Sequence, residues 1–358
     1  MSDAKDKARL AFIGAGWWAT SNHMPVLERR DDVELVGVCR LGAEPLKKVQ
    51  ERFGFSYATE DYRQLLEECE LDGVVAASPH TLHFEHASAA LERGLHVMCE
   101  KPMATHADQA RELVRLAKAK GRHLLVPYGW HYKPFVQEAK RFMEEGVIGR
   151  VEHVLCHMAS PIRGLLSGEP FDVDNVSGQS EASLFAPDAA TWADPQVSGG
   201  GYGHAQISHA AGMMFWLTGL QAQSVHAFMA GPGAKVDLYD AASVRFTDGA
   251  IGTVSGAGAV PADQGFQLDV RVFGSEGMLL LDCERARLEA RRYDGQHRVV
   301  EVEPGAGAYT CDGPPNNFVD LVRGLTQDNF APGATAMRAV ELLDAAYRSA
   351  SSGLVETV

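Results

Sequence analysis

The sequence predicts an α/β protein in two parts, a doubly wound parallel sheet followed by a C-terminal α/β domain with an antiparallel sheet. From residue 9 to residue 129, short apolar runs alternate with helical patterns, whereas after residue 223 several strands of alternating polarity follow one another. The chain has 358 residues, 46% of them hydrophobic and 22% charged, which suits a globular protein of two domains. We place these domains at residues 1–129 and 130–358, with the C-terminal helix able to pack back on the first.

The first domain alternates five predicted strands with four predicted helices. Its strands lack polar alternation, so both faces of their sheet should be covered by helices, and the crossovers should make the strands parallel. Gly54, Gly94 and Gly121 each follow a helical run and are expected to end it in a left-handed conformation. The predicted strands are residues 10–14, 33–39, 72–78, 96–100 and 124–128, and the predicted helices are residues 45–53, 62–68, 82–93 and 107–120.

The second domain begins with a helix and a strand and continues through a loop-rich segment into a series of strands. Within residues 266–273, polar and apolar side chains alternate, which predicts a sheet with one core face and antiparallel neighbours. Two helices close the chain. The predicted elements are a helix at residues 134–145, strands at 150–158, 223–229, 241–246, 251–255, 266–273, 278–282 and 287–292, and helices at 317–325 and 334–351.

Composition excludes several classes of partner. The formal net charge of −14 would repel a nucleic acid or an anionic membrane surface. The six cysteines lie far apart in sequence, which is typical of reduced thiols in a cytoplasmic protein. The apolar run at residues 212–220 is too short to span a membrane. Lys5, Lys7 and Arg9 precede an apolar stretch as in a signal peptide, but Asp3, Asp6 and the glycine motif within that stretch argue against one.

A glycine motif follows the first predicted strand. Gly14 permits a tight turn, Gly16 lets the backbone approach a pyrophosphate, and Ala19 allows the next helix to pack closely on the strand. The pattern G-x-G-x-x-A between a strand and a helix predicts a dinucleotide site that also includes Trp17 and Trp18. The alternative is a turn that binds nothing.

The end of the second strand bears on the choice of cofactor. A site for NAD usually has an acidic residue there, which accepts hydrogen bonds from the adenosine ribose. This chain has Arg40 instead, whose guanidinium suits a 2′-phosphate and can stack on adenine. NADP is therefore favoured, with NAD as the alternative. The competing interpretation is that Arg40 is an ordinary solvated surface residue.

Glu100-Lys101-Pro102 follows the strand at residues 96–99. Lys101 is thus expected at the carboxyl end of a parallel strand, where ligands bind in open sheets. A lysine there can polarise or hydrogen-bond a substrate oxygen, and burial would lower its pKa toward a useful range. The alternative is a structural ion pair with Glu100.

With Ser78-Pro79-His80 and His83, these motifs make the chain resemble the Gfo/Idh/MocA oxidoreductase family, and the likeness extends to the C-terminal stretch at residues 345–350. The resemblance implies a Rossmann domain, a second domain on a large open antiparallel sheet, and hydride transfer between nicotinamide and a secondary alcohol of a sugar or cyclitol. It makes Lys101 catalytic. It also places the segment from Ser78 to His83 beside the nicotinamide ribose. The cofactor-binding residues it implies are Ser78, Pro79, His80, His83, Glu100 and Lys101.

A glycine run at residues 199–203 resembles the family segment in which an Asp precedes a catalytic His by four residues. His209 matches that His and is expected to take the alcohol proton as the hydride leaves. The Asp position is Ala205 here, so His204 or Gln206 is expected to hold the substrate instead. The alternative for His209 is a structural histidine packed on Trp216.

Trp130 and His131 stand where many relatives of the family carry an Asn and an Arg, so the resemblance makes them candidates for substrate contacts. Trp192, just before the glycine run, is expected to line the same pocket, since aromatic faces suit the C–H surfaces of sugars. The competing interpretation is that each tryptophan is simply a residue of the hydrophobic core.

No metal is expected. His80, His83 and His86 have helical spacing, but no carboxylate or thiolate completes a ligand set.

The sequence therefore predicts an NAD(P)-dependent dehydrogenase or reductase that acts on a small carbohydrate, glycoside or cyclitol. One alternative is a redox-neutral lyase or glycosidase that keeps its cofactor tightly bound. A second alternative is a non-catalytic regulator that senses a dinucleotide or a sugar, against which Lys101 and His209 argue. Because one sheet face of the second domain needs a cover, we also expect a homodimer or homotetramer.

Overall fold

The computed structural model describes residues 6–169 and 183–358. Within them, the first unit comprises residues 6–127, 183–188 and 311–337, and the second comprises residues 128–169, 189–310 and 338–358. The predicted fold class is confirmed, since the first unit contains a six-stranded parallel sheet and the second a nine-stranded, mostly antiparallel sheet. The domain boundary after residue 129 stays a prediction.

The strands and helices are named here in chain order. The strands are β1 (Ala8–Ile13), β2 (Val33–Cys39), β3 (Tyr57–Thr59), β4 (Gly73–Ala76), β5 (His96–Cys99), β6 (Leu124–Leu125), β7 (Val151–Ala159), β8 (Ala222–Ala230), β9 (Tyr239–Phe246), β10 (Ile251–Ala257), β11 (Gln267–Gly274), β12 (Gly277–Asp282), β13 (Arg287–Arg292), β14 (Arg298–Val300) and β15 (Glu356–Thr357). The helices are α1 (Met24–Glu28), α2 (Ala43–Phe53), α3 (Tyr62–Glu68), α4 (His83–Glu92), α5 (Ala107–Lys120), α6 (Pro134–Glu144), α7 (Arg163–Ser167), α8 (Ala189–Ala193), α9 (Pro195–Ser198), α10 (Ser208–Thr218), α11 (Gly313–Arg323) and α12 (Gly333–Ser352).

The first sheet has the strand order β3-β2-β1-β4-β5-β6, and all its neighbouring strands are parallel. The order reverses between β1 and β4, so the carboxyl ends of these two strands flank the place where open parallel sheets bind ligands. Strand β4 is buried along its whole length, as its unbroken apolar run predicts. Strand β3 was not predicted, because three residues are too few to show a pattern.

Helix ends in the first unit follow local chemistry. Gly54 and Gly121 adopt the left-handed conformation that ends α2 and α5, as predicted. Asp61 caps α3 by accepting a hydrogen bond of 2.9 Å from the amide of Arg63. Helix α11 begins at Gly313 rather than at residue 317, because Pro314 and Pro315 fit the first turn, where no amide donor is needed.

The second sheet has the order β14-β13-β12-β11-β7-β10-β9-β8-β15. The purely antiparallel arrangement expected from the sequence is wrong at one pair, since β7 and β10 are parallel. Two parallel strands need a long crossover connection, and the connection from β7 to β10 contains helix α10 and the strands β8 and β9. Helices α6 and α10 pack on one face of this sheet. On the opposite face, Leu155, Phe228 and Ile251 are 38%, 68% and 50% exposed.

None of the helices in the described ranges combines the length and the apolar character that a membrane-spanning segment needs.

Candidate functional site

The glycine turn after β1 lies against the end of β4. Gly14 has a φ of +91°, and a Cβ there would lie 2.4 Å from the amide nitrogen of Ser78. Any side chain would therefore push the two strand ends apart. Gly16 differs, because a Cβ there would meet no atom of the chain within 4 Å. Ala19 is 1% exposed, as close packing of the following helical turn requires. The space beside Gly16 is therefore open, and binding of a pyrophosphate there stays a prediction.

Glu100, at the carboxyl end of β5, connects the helical turn after the glycine motif to the loop that contains Lys101. Its Oε1 accepts hydrogen bonds from Trp18 Nε1 at 2.8 Å and from His23 Nε2 at 2.5 Å. Its Oε2 accepts a bond of 3.0 Å from the backbone amide of Lys101. The turn that carries Trp18 and the loop that carries Lys101 are thus tied to one carboxylate.

The charges of this cluster are set by burial. Burial alone raises the pKa of Glu100, but the hydrogen bond from His23 and the positive charge of Lys101 outweigh it. The pKa of Glu100 is therefore lowered, and the group is an anion. Burial lowers the pKa of Lys101, and the charges of Glu100 and Cys311 oppose that shift. The Lys101 ammonium lies 5.7 Å from the centre of the Trp18 ring. The cluster therefore presents one buried lysine at the ligand-binding edge of the sheet.

The segment from Ser78 to His83, which is predicted to contact the cofactor, lies at the same edge of the sheet. His83 is 1% exposed, and each of its ring nitrogens lies 2.7 Å from a backbone carbonyl oxygen, Nδ1 from that of Pro102 and Nε2 from that of Ser78. His83 thus bridges the loop after β4 to the loop that contains Lys101. The ring of His80 lies 5.7 Å from that of His83. Contact of Ser78, Pro79, His80 and His83 with a cofactor stays a prediction.

Arg40 lies at the end of β2, beside the glycine turn. Its Nη1 donates a hydrogen bond of 2.6 Å to the carbonyl oxygen of Ala15. Its guanidinium carbon lies 4.0 Å from the centre of the Phe185 ring. Burial lowers the pKa of Arg40, and no charged group of the described chain contributes to that shift. The guanidinium is thus a half-buried cation next to the open space above Gly16.

In the second unit, His209 lies in the first turn of α10 and is 5% exposed. Three aromatic rings surround it in edge-to-face contacts, at interplanar angles of 64° (Tyr128), 84° (Trp130) and 79° (Tyr309). Their centres lie 5.5 Å (Tyr128), 5.8 Å (Trp130) and 5.6 Å (Tyr309) from that of the imidazole. These rings keep the imidazole in one orientation.

The aromatic residues predicted to contact substrate differ in exposure. Trp130 is 2% exposed, and its Nε1 donates a hydrogen bond of 3.0 Å to the carbonyl oxygen of Gly307. His131 is fully buried and stacks on Trp216 with ring centres 4.5 Å apart. Trp192 lies on the short helix α8 and is half-buried against the core. Trp130 and His131 thus take part in core packing, and a substrate contact by any of the three stays a prediction.

Asp237 and Tyr347 hold the glycine run in place. The Oδ1 of Asp237 accepts hydrogen bonds from the amide of Gly201 at 2.7 Å and from the Tyr347 hydroxyl at 2.9 Å, and Oδ2 accepts from the amide of Gly203 at 2.8 Å. A Cβ at Gly201 would lie 2.2 Å from the backbone oxygen of Asp237. The glycines therefore permit close packing on this pair.

The residues after the glycine run form one helical turn, Gly203–Ile207, that leads into α10. His204 is 2% exposed, and its ring centre lies 4.6 Å from that of Tyr347. Gln206 is 8% exposed, and Ala205, at the position of the family carboxylate, is 1% exposed. All three side chains are therefore buried.

Sequence reasoning missed His23, Asp237, Asp240 and Tyr347. Asp240 is 6% exposed. Burial, and then the charge and the hydrogen bond of nearby Asp237, raise its pKa to about 9. No local pattern marks His23 or the Asp237–Tyr347 pair, because their partners are distant in sequence. Among the residues that the structure describes, no group of three His, Cys, Asp or Glu side chains is placed to hold a metal ion.

Comparison with known proteins matches most of the chain to two family profiles. Residues 8–128 match the profile described as "Oxidoreductase family, NAD-binding Rossmann fold", and residues 136–280 match "GFO/IDH/MocA C-terminal domain".

Two relatives are similar over part of their length. D-glucoside 3-dehydrogenase of Escherichia coli K12 is 34% identical over 143 residues, 40% of this chain and 41% of that protein. D-xylose 1-dehydrogenase (NADP+) of Haloarcula marismortui is 30% identical over 161 residues, 44% of this chain and 45% of that protein. The matched stretches therefore span less than half of these relatives.

The fold also resembles that of levoglucosan dehydrogenase in complex with NADH. The TM-score is 0.76 with 21% identity, and the match covers 98% of this chain and 99% of that one. At this identity the likeness concerns the fold.

Proposed function

Because the chain belongs to the Gfo/Idh/MocA family of oxidoreductases, we propose that it is an NAD(P)-dependent dehydrogenase or reductase of a small carbohydrate, glycoside or cyclitol. The observation that carries this proposal is the buried Lys101 at the carboxyl end of β5, linked through Glu100 to the glycine turn. The names of the two partial relatives, a glucoside dehydrogenase and a xylose dehydrogenase, support the same substrate class.

The first unit fits a nicotinamide dinucleotide. Gly14 permits the tight turn, the space above Gly16 receives the pyrophosphate, and Arg40 faces the adenosine end. When bound, the nicotinamide ring accepts or delivers the hydride. We assign Trp17, Trp18 and Ala19 to the wall of the same site. NADP is favoured over NAD, because the cationic Arg40 stands beside the glycine turn where an NAD site usually has a carboxylate.

Lys101 is the proposed catalytic residue of the first unit. Its ammonium donates a hydrogen bond to the oxygen of the reacting alcohol or ketone, and burial lowers its pKa, which favours proton exchange near neutral pH. Glu100 positions Lys101 by accepting the bond from its backbone amide. Its negative charge also opposes the lowering of the Lys101 pKa by burial.

His209 is the proposed proton acceptor for the alcohol. The surrounding rings of Tyr128, Trp130 and Tyr309 limit its rotation, so little conformational entropy is lost when the proton is transferred. His204 and Gln206 are proposed to orient the substrate in the absence of a carboxylate at Ala205. Trp130, His131 and Trp192 complete the proposed substrate contacts.

The second unit is proposed to form a homodimer or homotetramer through the open face of its sheet. Leu155, Phe228 and Ile251 leave apolar surface on that face, and a second copy of the chain would cover it.

The activity is tested by incubating the protein with a panel of sugars, glycosides and cyclitols and with NADP+ or NAD+ while the absorbance of the reduced nicotinamide is followed. Substrate-dependent reduction by the natural chain, and none by the Lys101→Met variant, is the expected result. Consumption of substrate without net reduction would replace the proposal by the redox-neutral lyase or glycosidase. Failure of every substrate with both cofactors would contradict the proposed substrate class.

A further inference from the structure

A segment distant in sequence packs beside the glycine turn of the first unit. Phe185 places its ring 4.0 Å from the guanidinium carbon of Arg40. In the same segment, the hydroxyl of Ser183 lies 3.1 Å from that of Ser21, one helical turn beyond the glycines. The segment at residues 183–188 therefore touches both ends of the turn where the dinucleotide is proposed to bind. Neither the glycine motif nor the family likeness accounts for Phe185.

The contact with Phe185 fixes the direction of the Arg40 side chain. The ring covers one face of the planar guanidinium, and the carbonyl oxygen of Ala15 accepts a hydrogen bond from Nη1. Arg40 has further donors at Nε and Nη2, and a guanidinium stacks on either of its two faces. One face and these donors thus remain for a ligand.

We propose that Phe185 is a cofactor-retaining residue that acts through Arg40. Its ring supports one face of the guanidinium, while the other face stacks on the adenine and the remaining donors bind the 2′-phosphate of NADP(H). The inference rests on the proposed function. Because Phe185 holds Arg40 in a ligand-ready orientation before binding, less side-chain entropy is lost on binding, and the cofactor leaves more slowly.

The test is the rate at which NADPH dissociates from the purified protein, measured by stopped-flow displacement with nicotinamide fluorescence. Loss of one cation–π contact predicts a rate about 3- to 30-fold higher in Phe185→Ala. The Phe185→Tyr variant keeps an aromatic face and should stay within about twofold of the natural chain. As a matched control, Tyr293→Ala removes a ring that is 78% exposed after β13 of the second unit, and its rate should not change.

A double-mutant cycle separates this role from a merely structural one. If Phe185 acts through Arg40, then Phe185→Ala has no further effect on NADPH dissociation in an Arg40→Gln background. A structural role for the ring would give additive effects. Thermal unfolding of each variant shows whether the first unit stays folded.

Two results would overturn the inference while leaving the proposed function intact. In the first, NADPH leaves Phe185→Ala at the same rate as the natural chain. In the second, Phe185→Ala binds NADPH more tightly, which would mean that the ring occupies the position that adenine takes. A natural chain that binds no nicotinamide dinucleotide at all would contradict the proposed function itself, and this inference with it.

Discussion

The substitution Asp240→Asn should change how the stability of the protein depends on pH. Asp240 is 6% exposed, and nearby Asp237 adds a negative charge and a hydrogen bond. These conditions raise the pKa of Asp240 from 3.8 to about 9. Near neutral pH the group is therefore protonated in the folded protein and ionised in the unfolded chain.

The sign and the size of the effect follow from linkage. Between pH 4 and pH 9, folding takes up one proton at Asp240, so the free energy of unfolding falls as the pH rises through this window. The slope is about 1.4 kcal/mol per pH unit, which amounts to about 4 kcal/mol between about pH 5 and about pH 8. Asparagine has nearly the shape of the protonated acid and does not ionise. The stability of the variant relative to the natural chain should therefore rise by that amount over the same range.

The assay is denaturant unfolding of both proteins at several pH values, followed by fluorescence and circular dichroism. Below about pH 4 the Asp240 carboxyl is protonated in both states, so the difference between the two proteins should stop changing there. This region serves as the internal control. Parallel curves between about pH 5 and about pH 8 would refute the reasoning, since they would mean that Asp240 has the same pKa in the folded and unfolded states.

The remaining predictions concern the proposed reaction and the assembly. Lys101→Met should lower kcat at least about 10²-fold while the Kd for NADPH, from fluorescence titration, stays nearly constant; an unchanged kcat would exclude Lys101 from catalysis. His209→Ala should lower activity at neutral pH by about 10²- to 10⁴-fold, and a loss of less than a few-fold would assign the proton to another group. Arg40→Asp should make the protein prefer NADH over NADPH, because a carboxylate repels the 2′-phosphate; stronger NADH binding by the natural chain would contradict this. Light scattering should give a dimer or tetramer, and a monomer of 38.7 kDa at micromolar concentration would exclude assembly.

Local patterns in the sequence were enough to predict the fold class and the framework of the first site. Unbroken apolar runs indicated the buried parallel strands, and β4 is indeed buried along its whole length. The glycine motif predicted the turn at Gly14, where a Cβ would lie 2.4 Å from Ser78, and the position of Lys101 followed from the strand before it. Such features depend on residues adjacent in the chain, so the sequence displays them directly.

Only the tertiary structure decided which distant residues meet. His23 and Glu100 are 77 positions apart, yet they form a buried pair that positions Lys101. Phe185 is far from Arg40 in sequence, yet its ring packs on the Arg40 guanidinium. The parallel pairing of β7 and β10 is of the same kind. Contacts between residues far apart depend on how complete elements pack and leave no periodic trace, so the sequence determined the scaffold and the position of Lys101, while packing decided the charges and supports around it.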